Sequence, residues 1–162
     1  MLYYNVTMIV FEYRVSPAWG CAYEESETSF VRVTDDVKDN VITMFYGKEY
    51  LHTISQKDIK KIIEIIDEYP EIFEIPERLE PNAVLDGYEY TFKFADGVRS
   101  NEFGGFNILD YGRKPRKNAT LALRVARRIK EEVLMDNKIR TMIPSRLQHW
   151  PKYRRLSNII KI

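Results

Sequence analysis

Apolar and polar positions alternate strictly from Tyr88 to Phe94. Tyr88, Tyr90, Phe92 and Phe94 fall on one face of an extended chain, and Glu89, Thr91 and Lys93 on the other. A two-residue period of this kind predicts a half-buried strand. The Asp96-Gly97 dipeptide that follows is the strongest short-range hairpin signal, so a second strand is expected to return from it towards Asn107. Upstream, residues 5–15 show the same period, with Ile9, Phe11, Tyr13 and Val15 on one face and Met8, Val10, Glu12 and Arg14 on the other. Pro17 lacks the N–H a ladder needs and ends this strand. Trp19 to Glu25, Ser29 to Thr34 and Val41 to Tyr46 read as further strands. The cluster Asp35, Asp36, Lys38, Asp39 and Asn40 is a turn, and Gly47-Lys48 is a short hairpin turn into Glu49 to Ile54.

The period changes at Ser55. Ser55, with Asp58 three residues on, resembles a capping box with Asp in place of Glu. Ile59, Ile62, Ile63, Ile66 and Tyr69 follow at spacings of three and four, with Lys60, Lys61, Glu64, Asp67 and Glu68 opposite. The spacing predicts an amphipathic helix that Pro70 stops or kinks. Residues 71–83, with Pro76 and Pro81, form a stiff connection of unassigned structure. Gly104-Gly105 is expected to make a bulge or sharp bend at a strand end. Asn118 is a good N-cap for a second amphipathic helix from about Ala119 to Asn137. Its apolar stripe is Leu121, Ala122, Val125, Ala126, Ile129 and Val133, with Arg124, Arg127, Arg128 and Glu131 outside. Ile139, Met142 and Ile143 are expected to continue it until Pro144, and Leu156, Ile159 and Ile160 mark the apolar edge of a short terminal helix. The fold expected is therefore α+β. A mostly antiparallel meander packs against one central helix over residues 1–110, and a basic helical segment, residues 111–162, packs on the same domain.

Composition narrows the class. With 162 residues, 44% hydrophobic and 30% charged, the chain is long enough for a full core and too apolar for disorder. Its single cysteine, Cys21, excludes an internal disulfide and fits a reducing compartment. The N-terminus alternates like a strand and has neither a basic start nor a small-residue cleavage site, so it is not read as a signal peptide. No apolar run approaches the roughly 20 residues of a membrane helix, and a soluble cytoplasmic protein that meets no membrane is expected. The net charge of +1 hides a polarity. Residues 1–110 carry 10 Lys and Arg against 21 Asp and Glu, whereas residues 111–162 carry 15 against 3. Such a split marks an interaction segment, or a basic part that folds back on an acidic one.

Candidate chemistry is sparse. His52, His149 and Cys21 lack ligand spacing, so neither a metal nor a cofactor is expected. No nucleophile elbow or glycine-rich phosphate loop occurs, and no residue is nominated as catalytic. Asp86-Gly87 reads as a local backbone device at a strand start rather than a catalytic carboxylate. The basic segment alone has a direction. Arg113, Lys114, Arg116, Lys117, Arg124, Arg127, Arg128 and Lys130 crowd together, and Arg154 and Arg155 follow near the end. Arg124, Arg127, Arg128, Lys130, Arg154 and Arg155 are the candidate interaction or phosphate-binding residues. Such cations neutralise phosphates and release counterions, and Tyr111, Trp150 and Tyr153 offer stacking to unpaired bases.

Leu85-Asp86-Gly87, the aromatic strand, Asp96-Gly97, then Gly105 and Asn107 together resemble an uncharacterised family of small bacterial proteins, a domain of unknown function. Its pattern reads LDG, Trp, alternating strand, DG, strand, Gly-x-Asn. The resemblance covers roughly residues 5–110. Tyr88 and Tyr90 stand where that family tends to have Trp, Ser16 to Gly20 replaces a glycine-rich turn, and no proline closely follows Asn107. The resemblance implies the fold and no activity. The functional expectation is a non-enzymatic protein-interaction module, its partner a protein with an acidic surface or a second copy of the chain. The alternative is a nucleic-acid-associated accessory protein that binds phosphate backbone through the Arg-rich helix. An enzyme with residues converging from distant strands, around Asp86, Trp19 or His52, is the third reading.

Overall fold

The tyrosines and phenylalanines spaced two apart become the inner face of a single sheet. The computed structural model describes residues 6–17, 28–78, 88–106 and 117–145. Six strands lie within them: β1 (Ile9–Pro17), β2 (Ser29–Thr34), β3 (Val41–Phe45), β4 (Lys48–His52), β5 (Tyr88–Ala95) and β6 (Ser100–Phe106). Their order is β4-β3-β2-β1-β5-β6 and every strand pairing is antiparallel. The first four strands meander in chain order, and the β5–β6 hairpin then joins the free edge of β1. Phe11 pairs with Phe94, Tyr13 with Phe92, and Phe92 with Phe103. Their rings meet at centroid distances of 5.5, 5.3 and 5.7 Å. All five rings are fully buried, and each contributes roughly 1.5–3 kcal/mol by leaving water.

Helix α1 (Gln56–Asp67) begins where expected: the Ser55 hydroxyl accepts the Asp58 N–H at 3.1 Å. Its buried residues are Ile59, Ile62, Ile65 and Ile66, so the stripe turns towards Ile65 and leaves Ile63 half-buried. Pro70 marks the end of the helix, as expected: the α-helix closes at Asp67 and Tyr69 leaves helical geometry at φ −126°. Pro70 then opens a short 3-10 turn, Pro70–Glu74, that buries Ile72. Asn101 of β6 clasps this turn by donating to the carbonyls of Ile72 and Ile75 at 2.9 and 2.8 Å. The chain then runs along β6, where the Gly104 N–H donates to the Glu77 carbonyl at 2.9 Å and Arg78 bridges Gly104 in parallel. Gly104 and Gly105 make neither bulge nor bend, because the β5–β6 register runs unbroken from Glu89–Phe106 to Ala95–Ser100. A Cβ at Gly104 would lie 2.1 Å from the Tyr90 carbonyl oxygen; close approach of two strands is what requires glycine here.

The β5–β6 loop is also not the two-residue turn that Asp-Gly signals. Ala95 pairs with Ser100, so the loop has four residues. The Asp96 carboxylate accepts the N–H groups of Val98 and Arg99 at 2.9 and 2.6 Å. Burial pushes Asp96 up, but these two N–H groups and the Arg99 guanidinium outweigh it and hold the carboxyl down to about 2. At β1 a further departure appears. The register slips between Ile9 and Phe11, making Val10 an extra residue that is buried together with Phe11. A bulge breaks the alternation that a regular strand would keep.

Helix α2 (Lys117–Ile129) has Asn118 inside its first turn rather than capping it. It buries Ala119, Ala122, Leu123, Val125, Ala126 and Ile129, while Leu121 stays half-buried. A π-type turn, Lys130–Leu134, follows, with the Met135 N–H donating to the Lys130 carbonyl at 2.8 Å. The helical path does not reach Pro144. Lys138 takes a positive φ of 59°, Ile139 N–H donates to the Leu134 carbonyl, and Lys138 N–H donates to the Met135 carbonyl. This is a Schellman stop with lysine in the place glycine usually takes. Ile139 and Ile143 are still buried, but on a non-helical return along α2. The Trp19 to Glu25 strand, Cys21, Leu85 to Gly87, Asn107, His149 and the terminal helix around Leu156, Ile159 and Ile160 lie outside the described residues. Among the described residues, no helix is long and apolar enough to cross a membrane.

Candidate interaction surface

The cationic face of α2 is largely turned inward on its own molecule. Arg128 pairs with Glu68 of α1's C-terminal end and, at 2.8 Å, with Glu132 one turn on. Its guanidinium also lies 5.7 Å from the Tyr69 ring centroid. These hydrogen bonds, to Glu132 first and then Glu68 and Tyr69, hold Arg128 further above its ordinary value. Arg128 in turn lowers Glu132. Arg127 donates through Nε to the Pro144 carbonyl at 2.9 Å, and its Nη2 is buried without an acceptor among the described residues. Lys130 donates to the Ile143 carbonyl and the Ser145 hydroxyl, both at 2.7 Å. Burial, with Arg127 nearby, lowers its affinity for the proton. Arg127 and Lys130 thus fasten the 143–145 return to the helix. Arg124 alone of the four stays exposed. It stands on the rim of a groove of about 930 Å³, with Lys117 beside it and Glu68, Glu71 and Glu74 also lining it. Arg113, Lys114, Arg116, Arg154 and Arg155 lie outside the described residues.

The outer face of the sheet carries a second charged cluster. Glu12 is buried on the centre of β1 and accepts from both Arg14 and Arg32. Those two guanidiniums lie 4.8 and 5.0 Å from the centroid of the Phe30 ring. Two cations satisfy one carboxylate and cover an aromatic ring, so the cluster is complete in itself.

The two edges of the sheet differ. β6 is met by Glu77 and Arg78, as described. β4 has β3 on one side and no described strand on the other. It is reached through the Tyr46-Gly47 turn, where both residues have positive φ, 49° and 80°. That is the primed geometry a two-residue hairpin needs. The turn is thus one residue earlier than Gly47-Lys48, and the strand is Lys48–His52 instead of Glu49 to Ile54. The Tyr46 N–H donates to the Ser29 hydroxyl and the Gly47 N–H to the Thr28 carbonyl, both at 3.2 Å, which holds the turn against β2. Tyr46, Tyr50 and Leu51 are exposed by 68%, 42% and 54%, and Tyr50 and Leu51, successive in the strand, present one large side chain to each face of the edge.

Tyr50 is held by its neighbours. Arg140 lies over the Phe45 ring at 5.6 Å, Phe45 meets Tyr50 edge-on at 6.3 Å, and Lys48 lies over Tyr50 at 5.5 Å. His52 Nε2 and the Thr43 hydroxyl share a hydrogen bond of 3.1 Å. The result is a pair of rings, Phe45 and Tyr50, with a cation at each end, beside a strand edge that no described strand pairs. Sequence reasoning did not nominate this edge, because Lys48 to His52 alternates weakly and nothing local says which strand ends a sheet. The signal available was topological: a last meander strand followed by a helix stays an edge when the next hairpin docks elsewhere. No family model and no curated protein matches the chain.

Proposed function

We propose that the chain is a non-enzymatic protein-interaction module that meets its partner along the edge of β4, in a reducing cytoplasmic setting. The observation that carries this reading is the β4 edge, unpaired among the described residues, with its exposed Tyr46, Tyr50 and Leu51. An unpaired strand edge offers main-chain hydrogen bonds to an incoming strand, and alternate side chains supply selectivity. Tyrosine and arginine held rigid beforehand are the side chains that contribute most at protein interfaces, since little rotamer freedom is lost on binding. The alternative, binding of nucleic-acid backbone by the Arg-rich helix, draws on Arg124 and Lys117 as exposed described cations, because Arg127, Arg128 and Lys130 already have internal partners.

A photo-reactive side chain placed at Tyr50 tests the reading, with the same group at Glu102 on the opposite edge as reference. Irradiation of the full chain in cell extract is expected to give protein adducts at position 50 and few at 102. Adducts with nucleic acid only, or equal yields at the two edges, would overturn the proposal. Salt-sensitive retention on random DNA or RNA, lost in the Arg124→Glu variant, would favour the alternative.

A further inference from the structure

The outward backbone of β4 has a fixed parity. In a two-residue hairpin the closing residues, here Phe45 and Lys48, exchange both hydrogen bonds of their pair. Alternation along the register puts Thr43–Tyr50 and Val41–His52 in the same class. The N–H and C=O groups of Glu49 and Leu51 therefore point away from β3, and no described residue takes them up.

We infer that β4 pairs with β4 of a second copy, antiparallel about a two-fold axis through Tyr50, so that the sheet continues across a dimer. This rests on the reading of the edge as a protein-binding surface and names the partner. Three registers set the outward groups of one strand against those of another. The register centred on Glu49 puts that carboxylate directly opposite itself, which is destabilising. The register centred on Leu51 runs past the strand end at Thr53, whose hydroxyl already accepts the Asp39 N–H at 3.0 Å. The register centred on Tyr50 uses the whole of Lys48–His52. It sets Glu49 opposite Leu51 in two hydrogen-bonded pairs, and Lys48 opposite His52. Tyr50 then faces its own copy in a non-hydrogen-bonded pair, where side chains approach most closely and aromatic pairs are favoured. No carboxylate opposes a carboxylate and no lysine a lysine. Short strands on each side bury less than the roughly 1,200–2,000 Å² of a standard stable interface, so the dimer is weak and depends on concentration.

The test uses the full chain with Cys21→Ser as background. Cα atoms of a non-hydrogen-bonded antiparallel pair lie about 4.5 Å apart, within disulfide reach. Tyr50→Cys is therefore expected to form a disulfide dimer under mild oxidation at least about tenfold faster than Lys48→Cys or Glu102→Cys, whose partners in a dimer lie beyond that reach. Sedimentation of the unsubstituted chain is expected to pass from one chain's mass to two as concentration rises. Leu51→Pro, which removes an outward N–H and leaves the ladder to β3 intact, is expected to stay monomeric with an unchanged circular dichroism spectrum. A monomer at every concentration, or equal disulfide yields at positions 48, 50 and 102, would overturn the dimer. If photo-adducts at Tyr50 with other proteins persist in that case, the second copy is the wrong partner and the protein-binding reading stands. If adducts are also missing, both fall.

Discussion

Asn40 has no exposed surface, and its side-chain amide is fully engaged. Its Nδ2 donates to the carbonyls of Asp36 and Ile54, both at 2.9 Å, and its Oδ1 accepts the Ile54 N–H at 2.8 Å. One amide thus joins the turn after β2 to the residue that leads into α1. In the sequence it is the last member of an acidic turn cluster, and nothing adjacent separates it from Asp39 or Lys38. Its burial is created fourteen residues later, when Ile54 folds over it, so local pattern carries no trace of it. Replacing Asn40 with Ala would leave the buried N–H and carbonyl of Ile54 without their side-chain partner, while the Asp36 carbonyl keeps the Gln56 amide at 3.0 Å. The unfolding free energy from urea denaturation is expected to fall by about 2–4 kcal/mol, against less than about 0.5 kcal/mol for exposed Lys38→Ala. Similar losses at the two positions would show that Asn40 is not a tie. Gly104 teaches the same lesson. Its type was legible as special, but the reason lies in Tyr90 on the neighbouring strand.

At the scale of elements, period was a good guide and ends were an uneven one. β2 matches its expected bounds of Ser29 to Thr34, and the Tyr88 to Phe94 alternation became β5, because one buried face makes register strongly specified. The β3–β4 turn was misplaced by one residue since Gly47 is the obvious left-handed residue, whereas Tyr46 also takes positive φ. The C-terminal helix was expected to reach Pro144 because Ile139 and Ile143 keep an apolar spacing. They are buried, but on a non-helical return beyond a Schellman stop at Lys138. A lysine gives no sequence sign of a left-handed stop. Lys138 at φ 59° carries the strain of an L-residue there. Lys138→Gly is expected to raise stability by about 0.5–1 kcal/mol, the relief exceeding the extra entropy glycine loses. A thermal melt that moves downward instead would mean that the lysine side chain itself supports the stop.

Across the whole molecule, the split between an acidic front and a basic back was legible to the residue, while its resolution was not. Counting charges could not say whether Arg128 faces solvent or Glu68, since α1 and α2 are sixty residues apart and meet only when both bury their apolar stripes. In the fold they touch along this seam. Lys61 donates to the Glu132 carbonyl at 3.1 Å, Asn137 donates to Asp58 at 3.2 Å, and Arg128 pairs with Glu68. The exposure of the two partners decides how much the pair contributes. The Arg128 side chain is 27% exposed and that of Glu68 57%, so solvent screens the attraction and the ordinary range for exposed pairs applies. Two further features lift it to the top of that range: Glu132 and the Tyr69 ring already fix the guanidinium, so little side-chain entropy is lost in adding Glu68. A double-mutant cycle of Arg128→Ala and Glu68→Ala is therefore expected to give a coupling near 1 kcal/mol at low salt, shrinking as salt rises. Arg128→Ala alone is expected to cost about 2 kcal/mol, because the Glu132 and Tyr69 contacts go with it. A coupling of zero, with the single loss intact, would mean that the helix-internal partners hold Arg128 and that the acidic front merely lies alongside.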